Sequence, residues 1–287
     1  LEFTADEIHE IGLAEVARLH LAMEKIKTAV DFEGSLQDFF VFMREDDRFY
    51  FPNTDEGRQD YLNLNNEYLD AITLKLPDYF GRLPKAQLEV RRVEYFREQT
   101  GAAQHYASGT PDGSRPGVFY SHMSDMSTLP IFQLEDVAYH EGSPGHHMQI
   151  SIQQELTGVP RFRTQYRNTA YTEGWGLYAE WLAKEMGAFE DPYSDFGRLS
   201  GELWRAIRLV VDTGIHAQQW SEERAVTYFI NNSAQAEGAI RSEIQRYITW
   251  PGKATAYKIG MMKFQELRQN AESVLGNSFD IRTFHDV

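Results

Sequence analysis

Cysteine is absent from all 287 residues of the chain. Disulfide bonds are therefore excluded, and so is every metal site that depends on a thiolate ligand. Any bound metal ion would have to be held by histidine, aspartate or glutamate side chains. The absence does not identify a compartment, because cysteine-free proteins suit both the cytosol and the periplasm.

Positive charge is also scarce, since 28 lysines and arginines stand against 43 aspartates and glutamates, for a formal net charge of -15. Proteins that bind nucleic acids or anionic membranes normally carry clusters of lysine and arginine, and the sequence shows no such cluster. We therefore expect no nucleic-acid partner, and we attribute the excess of acidic residues to a well-solvated surface.

Long apolar runs are missing as well, because no stretch approaches the roughly 18 apolar residues that a membrane span requires. The first ten residues, LEFTADEIHE, lack an initiator methionine and the basic and apolar regions of a signal peptide. They contain instead a helix-capping pattern in which Glu7 follows Thr4 by three residues. This opening predicts that the chain belongs to a larger precursor.

A hydrophobic content of 42%, with 13% aromatic residues, is ample for a sizeable core. Apolar residues recur mostly at helical spacing, whereas two short stretches alternate as strands do, and the prolines of residues 76–87 break the helical pattern. We expect one mostly α domain over residues 1–287 with a small β element. The predicted helices cover about residues 4–30, 35–44, 54–74, 170–187, 192–217, 221–231, 234–249 and 253–273, with another around residue 140, and the predicted strands cover residues 88–93 and 118–123.

The stretch HEGSPGHHMQ, residues 140–149, holds three of the nine histidines. Helical zinc sites commonly read H-E-x-x-H, with the second histidine four residues after the first, but here it follows six or seven residues after His140. Pro144 cannot continue a regular helix, and the flanking glycines tolerate unusual dihedral angles. We therefore expect a bulge that brings either His146 or His147 into the position that the fifth residue of the common motif occupies.

Glutamates nearby could complete such a site. Glu141 directly follows His140, which is the position of a carboxylate that accepts a proton from metal-activated water without binding the metal. The strongest candidate for a third ligand lies in the stretch TEGWGLYAEWLAKE, where Glu173 and Glu180 share one helix face. For Glu180 taken alone, we expect an ordinary cap or ion pair on a half-exposed helix.

Two further stretches place polar groups where a helix should be apolar. Arg208, Asp212 and His216 follow one another at four-residue steps, and alone they are best explained as a ladder of buried ion pairs. Tyr257 follows a Pro-Gly break at a predicted helix start. By itself it is best explained as a core aromatic residue with a hydrogen-bonded hydroxyl.

Six segments, in their order along the chain, resemble a bacterial family called domain of unknown function 885. The segments are PDGSRPGVFY, YHEGSPGHHMQ, TEGWGLYAE, RLVVDTGIH, WSEERAVTYF and PGKATAYKIG. Members of that family are about twice as long and often carry lipoprotein or secretory signals, so the chain resembles their C-terminal half. The family is in turn distantly similar to zinc metallopeptidases of the gluzincin type, which implies a helical metallopeptidase-like domain with a small sheet beside the active-site helix.

The resemblance implies a role for each candidate residue. His140, His146 and Glu173 would hold Zn²⁺, with His147 as the alternative ligand, and Glu141 would be the general base. By order and spacing, His216 and Tyr257 match the residues that stabilise the oxyanion in those peptidases. The family pattern departs from H-E-x-x-H through its insertion, so the choice between His146 and His147 stays open.

These features predict a zinc-dependent hydrolase of amide bonds, with peptides or small amides as substrates. One alternative is the same machinery acting on non-peptide amides or esters. Another is a binding protein with a purely structural metal site, which would have no open coordination position. The resemblance also implies a location in the bacterial cell envelope or periplasm.

Overall fold

The computed structural model describes residues 3–99 and 102–287, and most of these residues are helical. The described helices are α1 (Ala5–Ala29), α2 (Leu36–Glu45), α3 (Asp55–Thr73), α4 (Leu76–Tyr79), α5 (Leu134–Glu141), α6 (His146–Glu155), α7 (Thr169–Glu185), α8 (Pro192–Gln218), α9 (Glu222–Asn232), α10 (Glu237–Thr249), α11 (Ala256–Leu275) and α12 (Ile281–His285). The predicted mostly α fold is confirmed.

A small sheet of three strands supplies the β element. The strands are β1 (Leu88–Arg92), β2 (His105–Ala107) and β3 (Gly117–Ser121). The central strand β3 pairs in parallel with β1 and antiparallel with β2, so β2 forms one edge. The sheet packs on helix α5 through Phe119, which clusters with Ala138 and Leu69. The small β element therefore lies beside the helix that carries His140, as predicted.

Helix α1 begins where the sequence predicts it. Thr4 accepts a hydrogen bond from the backbone N–H of Glu7, and the Glu7 carboxylate accepts one from the backbone N–H of Thr4. This reciprocal pair satisfies donors that a helix N-terminus otherwise leaves without partners. The apolar face of α1 packs along α8, where Leu19 and Met23 join Ile207 in the largest hydrophobic cluster.

A second hydrophobic cluster surrounds helix α7. Tyr139 from α5 and Tyr178 and Leu182 from α7 are fully or almost fully buried there, together with Ile72 from α3. Helix α5 consequently packs against α3, α7 and α8 at once. The enclosure explains why the motif that begins at His140 lies inside the molecule and not on its surface.

Three short elements differ from the prediction. Strand β2 is only three residues long, too short to show an alternating pattern in the sequence. Residues 76–79 form helix α4 although we expected a break there, because Pro77 stands in the first turn, where a proline is tolerated. Helix α12 near the end of the chain was also not predicted.

None of the helices in the described ranges combines the length and the apolar character that crossing a bilayer requires. This agrees with the expectation from the sequence.

Candidate metal centre

The motif at residues 140–149 interrupts a helix, as the proline and glycines predict. Helix α5 ends at Glu141 and helix α6 begins at His146. The intervening backbone is held by a hydrogen bond from the His147 N–H to the Gly142 carbonyl, with an N···O distance of 3.1 Å. The indole N–H of Trp175 in α7 donates to the Pro144 carbonyl at 2.9 Å. The insertion is therefore an ordered part of the core.

The interruption brings His140 and His146 together. Their imidazole rings lie edge to face with centroids 4.6 Å apart. Glu173 in the first part of α7 faces both rings, with its Oε2 atom 3.7 Å from His140 Nε2 and 3.5 Å from His146 Nε2. One ligand atom from each of the three residues lies within 4.8 Å of the others. Two imidazole nitrogens and a carboxylate oxygen form the ligand set of many catalytic zinc sites.

His147 does not belong to this group. Its Nδ1 atom lies 3.1 Å from the hydroxyl oxygen of Tyr106 in β2, and burial lowers its pKa to about 4. Its ring turns towards the sheet, whereas the ring of His146 turns towards α7. The structure thus places His146, and not His147, beside His140 and Glu173.

Glu180 differs from the expectation of a cap or ion pair on a half-exposed helix. The residue is 1% exposed, and its Oε1 atom lies 2.5 Å from His140 Nδ1. A carboxylate can only accept, so Nδ1–H is the donor, and the Nε2 atom of His140 is left to face Glu173. Glu180 does pair with charged neighbours, but the expected half-exposed helix was wrong, because α7 is enclosed by α5, α8 and α11 and its faces are buried almost all round.

Two further ionisable residues, Asp136 and Arg205, lie close to the carboxyl group of Glu180. Arg205 Nη2 lies 3.9 Å from Glu180 Oε1, and Asp136, 3% exposed, lies one helical turn before His140 on α5. Burial, followed by the negative charge of Glu180, raises the pKa of Asp136 well above its ordinary range. A protonated Asp136 adds no negative charge to this part of the core and can donate a hydrogen bond to Glu180.

The charges of the three candidate ligands are strongly coupled. Burial opposes protonation of His140, yet hydrogen bonds to Glu173 and Glu180 raise its pKa to about 10. Burial would likewise raise the pKa of Glu173, but His140 and His146 lower it far below its ordinary range. The cluster is therefore arranged to hold positive charge between Glu173 and Glu180.

Two side chains next to the cluster have free polar groups. The carboxylate of Glu141, which is 8% exposed, forms no side-chain hydrogen bond or ion pair within the described ranges. The same is true of the hydroxyl of Tyr257, a half-buried residue whose ring lies against the guanidinium of Arg208. The hydrogen-bonded hydroxyl that we expected for Tyr257 is thus not found.

Gly176 explains how α7 can pass so close to His140. A Cβ atom at this position would lie 2.6 Å from Cε1 of the His140 ring. Any side chain at this position would therefore displace the imidazole. The glycine is part of the segment TEGWGLYAE, so the requirement for close approach explains one feature of that segment physically.

The expected ladder of ion pairs on α8 is wrong. Arg208 pairs with Glu243 at 2.9 Å, Asp212 accepts from the backbone N–H of Gly252 at 3.0 Å, and His216 lies 3.0 Å from the Tyr247 carbonyl. Each of the three side chains therefore finds a partner on the α10–α11 side of the molecule. The four-residue spacing places them on one face, but that face meets neighbours with their own polar groups.

The structure does not bring His216 to the candidate ligands. Its side chain is exposed near the end of α8, and none of its contacts within the described ranges involves His140, His146 or Glu173. At about 1.5 Å per residue, the helix carries it roughly 16 Å beyond Arg205, which contacts Glu180. The oxyanion role of His216 therefore stays a prediction without a supporting contact.

Asp136 and Arg205, which lie near Glu180, were missed from sequence, although the spacing of each offers a signal. Asp136 precedes His140 by four residues and so shares its helix face. Arg205 precedes Arg208 by three residues on α8, which again places two ionisable groups on one face. Neither spacing, however, reveals that α5, α7 and α8 meet at Glu180.

The fold and the site together define a mostly α protein with an internal cluster of two histidines and a glutamate. The chain belongs to the family described as "Bacterial protein of unknown function (DUF885)", which matches residues 1–287. The resemblance found in the sequence is thereby confirmed. No functionally curated protein shows significant similarity to the chain, and the distant similarity to gluzincin metallopeptidases stays an expectation.

Solved structures that are similar to this one include two candidate lipoproteins. A candidate lipoprotein from Colwellia psychrerythraea is 39% identical, with a TM-score of 0.95 over 100% of this chain and 49% of its own length. A candidate lipoprotein of unknown function from Shewanella oneidensis shares the fold at 18% identity, with a TM-score of 0.79 over 99% of this chain and 54% of its own. The chain thus spans about half the length of these relatives.

Proposed function

We propose that the protein is a zinc-dependent hydrolase of amide bonds that acts on peptides. The observation that carries the proposal is the convergence of His140, His146 and Glu173, whose candidate ligand atoms lie within 4.8 Å of one another. The unbonded carboxylate of Glu141 next to them supports a catalytic role over a purely structural one. A structural site would need the three ligands but would have no use for a free buried carboxylate beside them.

The ligand set fits zinc in both chemistry and spacing. Separations of 3.5 and 3.7 Å between Glu173 Oε2 and the two imidazole nitrogens suit an ion with bonds of about 2.0–2.2 Å to each. Zinc held by three protein ligands keeps a position open, polarises a carbonyl group and lowers the pKa of water to about 7.

Glu141 is the residue in place to move the proton. Its carboxylate follows His140 directly and accepts the proton of the attacking water, which it then delivers to the leaving amine nitrogen. Its isolation from other hydrogen-bonding groups supports this role, because a carboxylate bound to a cation would be a weaker base. Tyr257 would donate its hydroxyl proton in a hydrogen bond to the oxyanion that forms when water attacks the amide.

The buried residues behind His140 keep its imidazole oriented. The hydrogen bond to Glu180 fixes the tautomer in which Nδ1 carries the proton, and Asp136 and Arg205 hold Glu180 in turn. Such outer partners raise the basicity of a ligating histidine and restrict its rotation. We therefore assign Glu180 as a positioning residue for the proposed centre.

The relatives support a location in the cell envelope. Both similar solved proteins are described as candidate lipoproteins. We propose that this protein acts in the periplasm, where peptides from the envelope and from outside the cell would be its substrates.

The direct test is metal analysis of the purified protein, followed by incubation with a mixed fluorogenic peptide library. We expect one zinc per chain, peptide cleavage that stops when a chelator removes the zinc, and recovery when zinc is added back. Zinc-loaded protein that cleaves no peptide would contradict the proposed activity. Cleavage that survives complete removal of the metal would contradict the proposed mechanism.

A further inference from the structure

Three arginines near Tyr257 each have a buried side-chain N–H group without a hydrogen-bond partner in the described ranges. The groups are Nε of Arg205, Nη1 of Arg208 and Nε of Arg246. Buried donors without partners are costly, and charged ones more so, and native structures therefore contain few of them. Three such groups in one region point to an anion that binds there.

The acidic residues around these arginines are too few to neutralise them. Arg208 and Arg246 share a single carboxylate oxygen, Glu243 Oε2, at 2.9 and 2.6 Å. Within the described ranges the ion-pair partner of Arg205 is Glu180, at 3.9 Å, and Glu180 is already hydrogen-bonded to His140. The three guanidinium groups thus share two ion-pair partners, Glu243 and Glu180, in the described ranges.

The arginines are close to the proposed metal centre through Tyr257. The guanidinium carbon of Arg208, a residue that is 6% exposed, lies 4.5 Å from the centroid of the Tyr257 ring. One turn further along α11, Gly260 touches Gly174 of α7, where an added Cβ would lie 2.5 Å from the Gly260 Cα. Glu173 is the residue before Gly174, so this contact brings the first turn of α11, which carries Tyr257, close to the part of α7 that carries Glu173.

The electrostatics of Tyr257 agree with this placement. Burial raises the pKa of its hydroxyl, Glu173 raises it further, and Arg208 and Arg205 lower it. The pKa of the hydroxyl is therefore affected both by a proposed metal ligand, Glu173, and by the arginines. A substrate that binds at the metal centre and extends past Tyr257 would approach Arg208, whose guanidinium carbon lies 4.5 Å from the centroid of the Tyr257 ring.

We propose that Arg208, with Arg205 beside it, binds a carboxylate of the substrate, so that the enzyme prefers peptides whose free C-terminus lies close to the bond that is cleaved. The inference rests on the proposed function and names its substrate class. A planar guanidinium suits this role because it can donate two parallel hydrogen bonds to one carboxylate. The partnerless Nη1 group of Arg208 is the donor that such a ligand would satisfy.

The test compares two ligands that differ only at the C-terminus. Zinc-loaded protein with the Glu141→Gln substitution would be titrated calorimetrically with N-acetyl-Phe-Ala as the free acid and as the C-terminal amide. We expect the acid to bind at least about tenfold more tightly, as a charged hydrogen bond that replaces a neutral one would give. Adding Arg208→Met should remove most of this preference.

Arg268 offers a matched control. It also has a buried Nη1 group without a partner and stacks on a ring, that of Trp181 at 5.3 Å, but its carboxylate partners are Glu185 and Glu272. Arg268→Met in the same background should leave the preference for the acid unchanged. Should Arg208→Met fail to fold, Arg205→Met takes its place, and loss of the preference is expected there too.

Equal affinity for acid and amide, or no measurable binding of the acid, would overturn the inference. So would a preference that survives the arginine substitutions, because the carboxylate would then be bound elsewhere. Failure of the proposed function is distinguishable from these results. If unsubstituted protein cleaves no peptide but Glu141→Gln protein still prefers the acid through Arg208, the carboxylate site stands and the hydrolase does not.

Discussion

Two buried groups of charged residues in this protein differ in one respect, which is how completely their polar atoms are paired. Lys258, 1% exposed, binds Glu202 at 2.6 Å and Glu15 at 2.8 Å, and Arg18 contacts both glutamates. Lys258 and Arg18 balance Glu15 and Glu202, and in the described ranges no buried side-chain nitrogen or oxygen atom of these four residues lacks a partner. This network joins α1, α8 and α11, and nothing in it requires a ligand.

The candidate metal centre and its surroundings contrast with that network. Buried atoms without partners in the described ranges include His146 Nδ1, Arg205 Nε and Arg208 Nη1. Because native structures pair nearly all buried polar atoms, such a concentration marks a site built for something beyond folding. Complete pairing thus indicates a structural role for the Lys258 network, and incomplete pairing indicates a functional role for the cluster around His140.

The largest expected effect is a difference in zinc binding between variants of the two neighbouring histidines, His146 and His147. We predict that His146→Ala abolishes stoichiometric zinc binding, because it removes one of only three ligands. His147→Ala should keep one zinc per chain, since the ring of His147 contacts Tyr106 and not the cluster. Zinc content measured after dialysis checks both variants. Loss of zinc from His147→Ala with retention in His146→Ala would reverse the ligand assignment.

Replacing Lys258 in the paired network should lower the stability of the fold but leave zinc binding unchanged. Lys258→Met leaves buried glutamates short of a cation, and we expect a loss of about 3–5 kcal/mol in the free energy of unfolding. Zinc affinity should stay unchanged. Lys263→Met is the control on the same helix, because Lys263 forms only an exposed pair with Glu266, worth about 0–1 kcal/mol. Urea denaturation of the three proteins gives the comparison.

An unchanged unfolding free energy in Lys258→Met would show that the network does not stabilise the fold. A loss of zinc in that variant, with the fold intact, would show that the two groups are not separate. Either result would break the contrast drawn from the pairing of their polar atoms.

Glu180 tests whether the layer behind His140 serves the metal. Glu180→Gln keeps the size of the side chain but removes the charge that accepts from Nδ1, and we expect zinc affinity to fall by about 10–100-fold. Glu185→Gln, on the same helix but paired with Arg268 away from the centre, should leave the affinity unchanged. Competition with a zinc chelator of known affinity measures both, and equal affinities would remove Glu180 from the centre.

The smallest expected effect is a dependence of stability on pH. Burial alone would raise the pKa of Glu15, but Arg18 and Lys258 lower it from 4.5 to about 2. An acid whose pKa is depressed by folding stabilises the protein above the pKa of the unfolded chain, and the stabilisation is lost as the pH falls through the folded value. Glu15 should therefore contribute at neutral pH and progressively less between 4.5 and about 2.

Thermal unfolding of wild type and Glu15→Gln measures this contribution. The difference between their Tm values should be largest near neutral pH and should shrink as the pH falls below 4.5. Glu24→Gln, which removes a partly exposed pair with Lys27, should show only a small difference across the range. A Tm difference for Glu15→Gln that grows on acidification would contradict the assignment.

The sequence predicted the long helices because their apolar residues repeat over many turns. Helix α8, expected at residues 192–217, runs from Pro192 to Gln218, and the bulge expected around Pro144 separates α5 from α6. Strand β2, with three residues, is held in place by its pairing with β3. No local pattern could have revealed an element whose existence depends on a partner.

The candidate ligands were found for two different reasons. The motif itself pointed to His140 and its neighbours, whereas Glu173 needed the family resemblance to stand above other glutamates. The burial of Glu180 could not be predicted, because a single sequence does not show which helices enclose α7. His216 was matched by order and spacing, and along a helix of 27 residues these do not fix the distance to a site.

Glu141 gives the most direct test of the claim that the cluster is catalytic. Removing a ligand loses metal and activity together, but Glu141→Gln keeps the side chain's size and all three ligands while it deletes the base. Zinc content and the rate of peptide cleavage should be measured on the same preparations of wild type and variant. We predict one zinc per chain in both, with cleavage slower by about 10²–10⁴-fold in the variant, the usual contribution of general acid–base catalysis. Equal cleavage rates at equal zinc content would show that Glu141 is not the base and would contradict the mechanism proposed for this site.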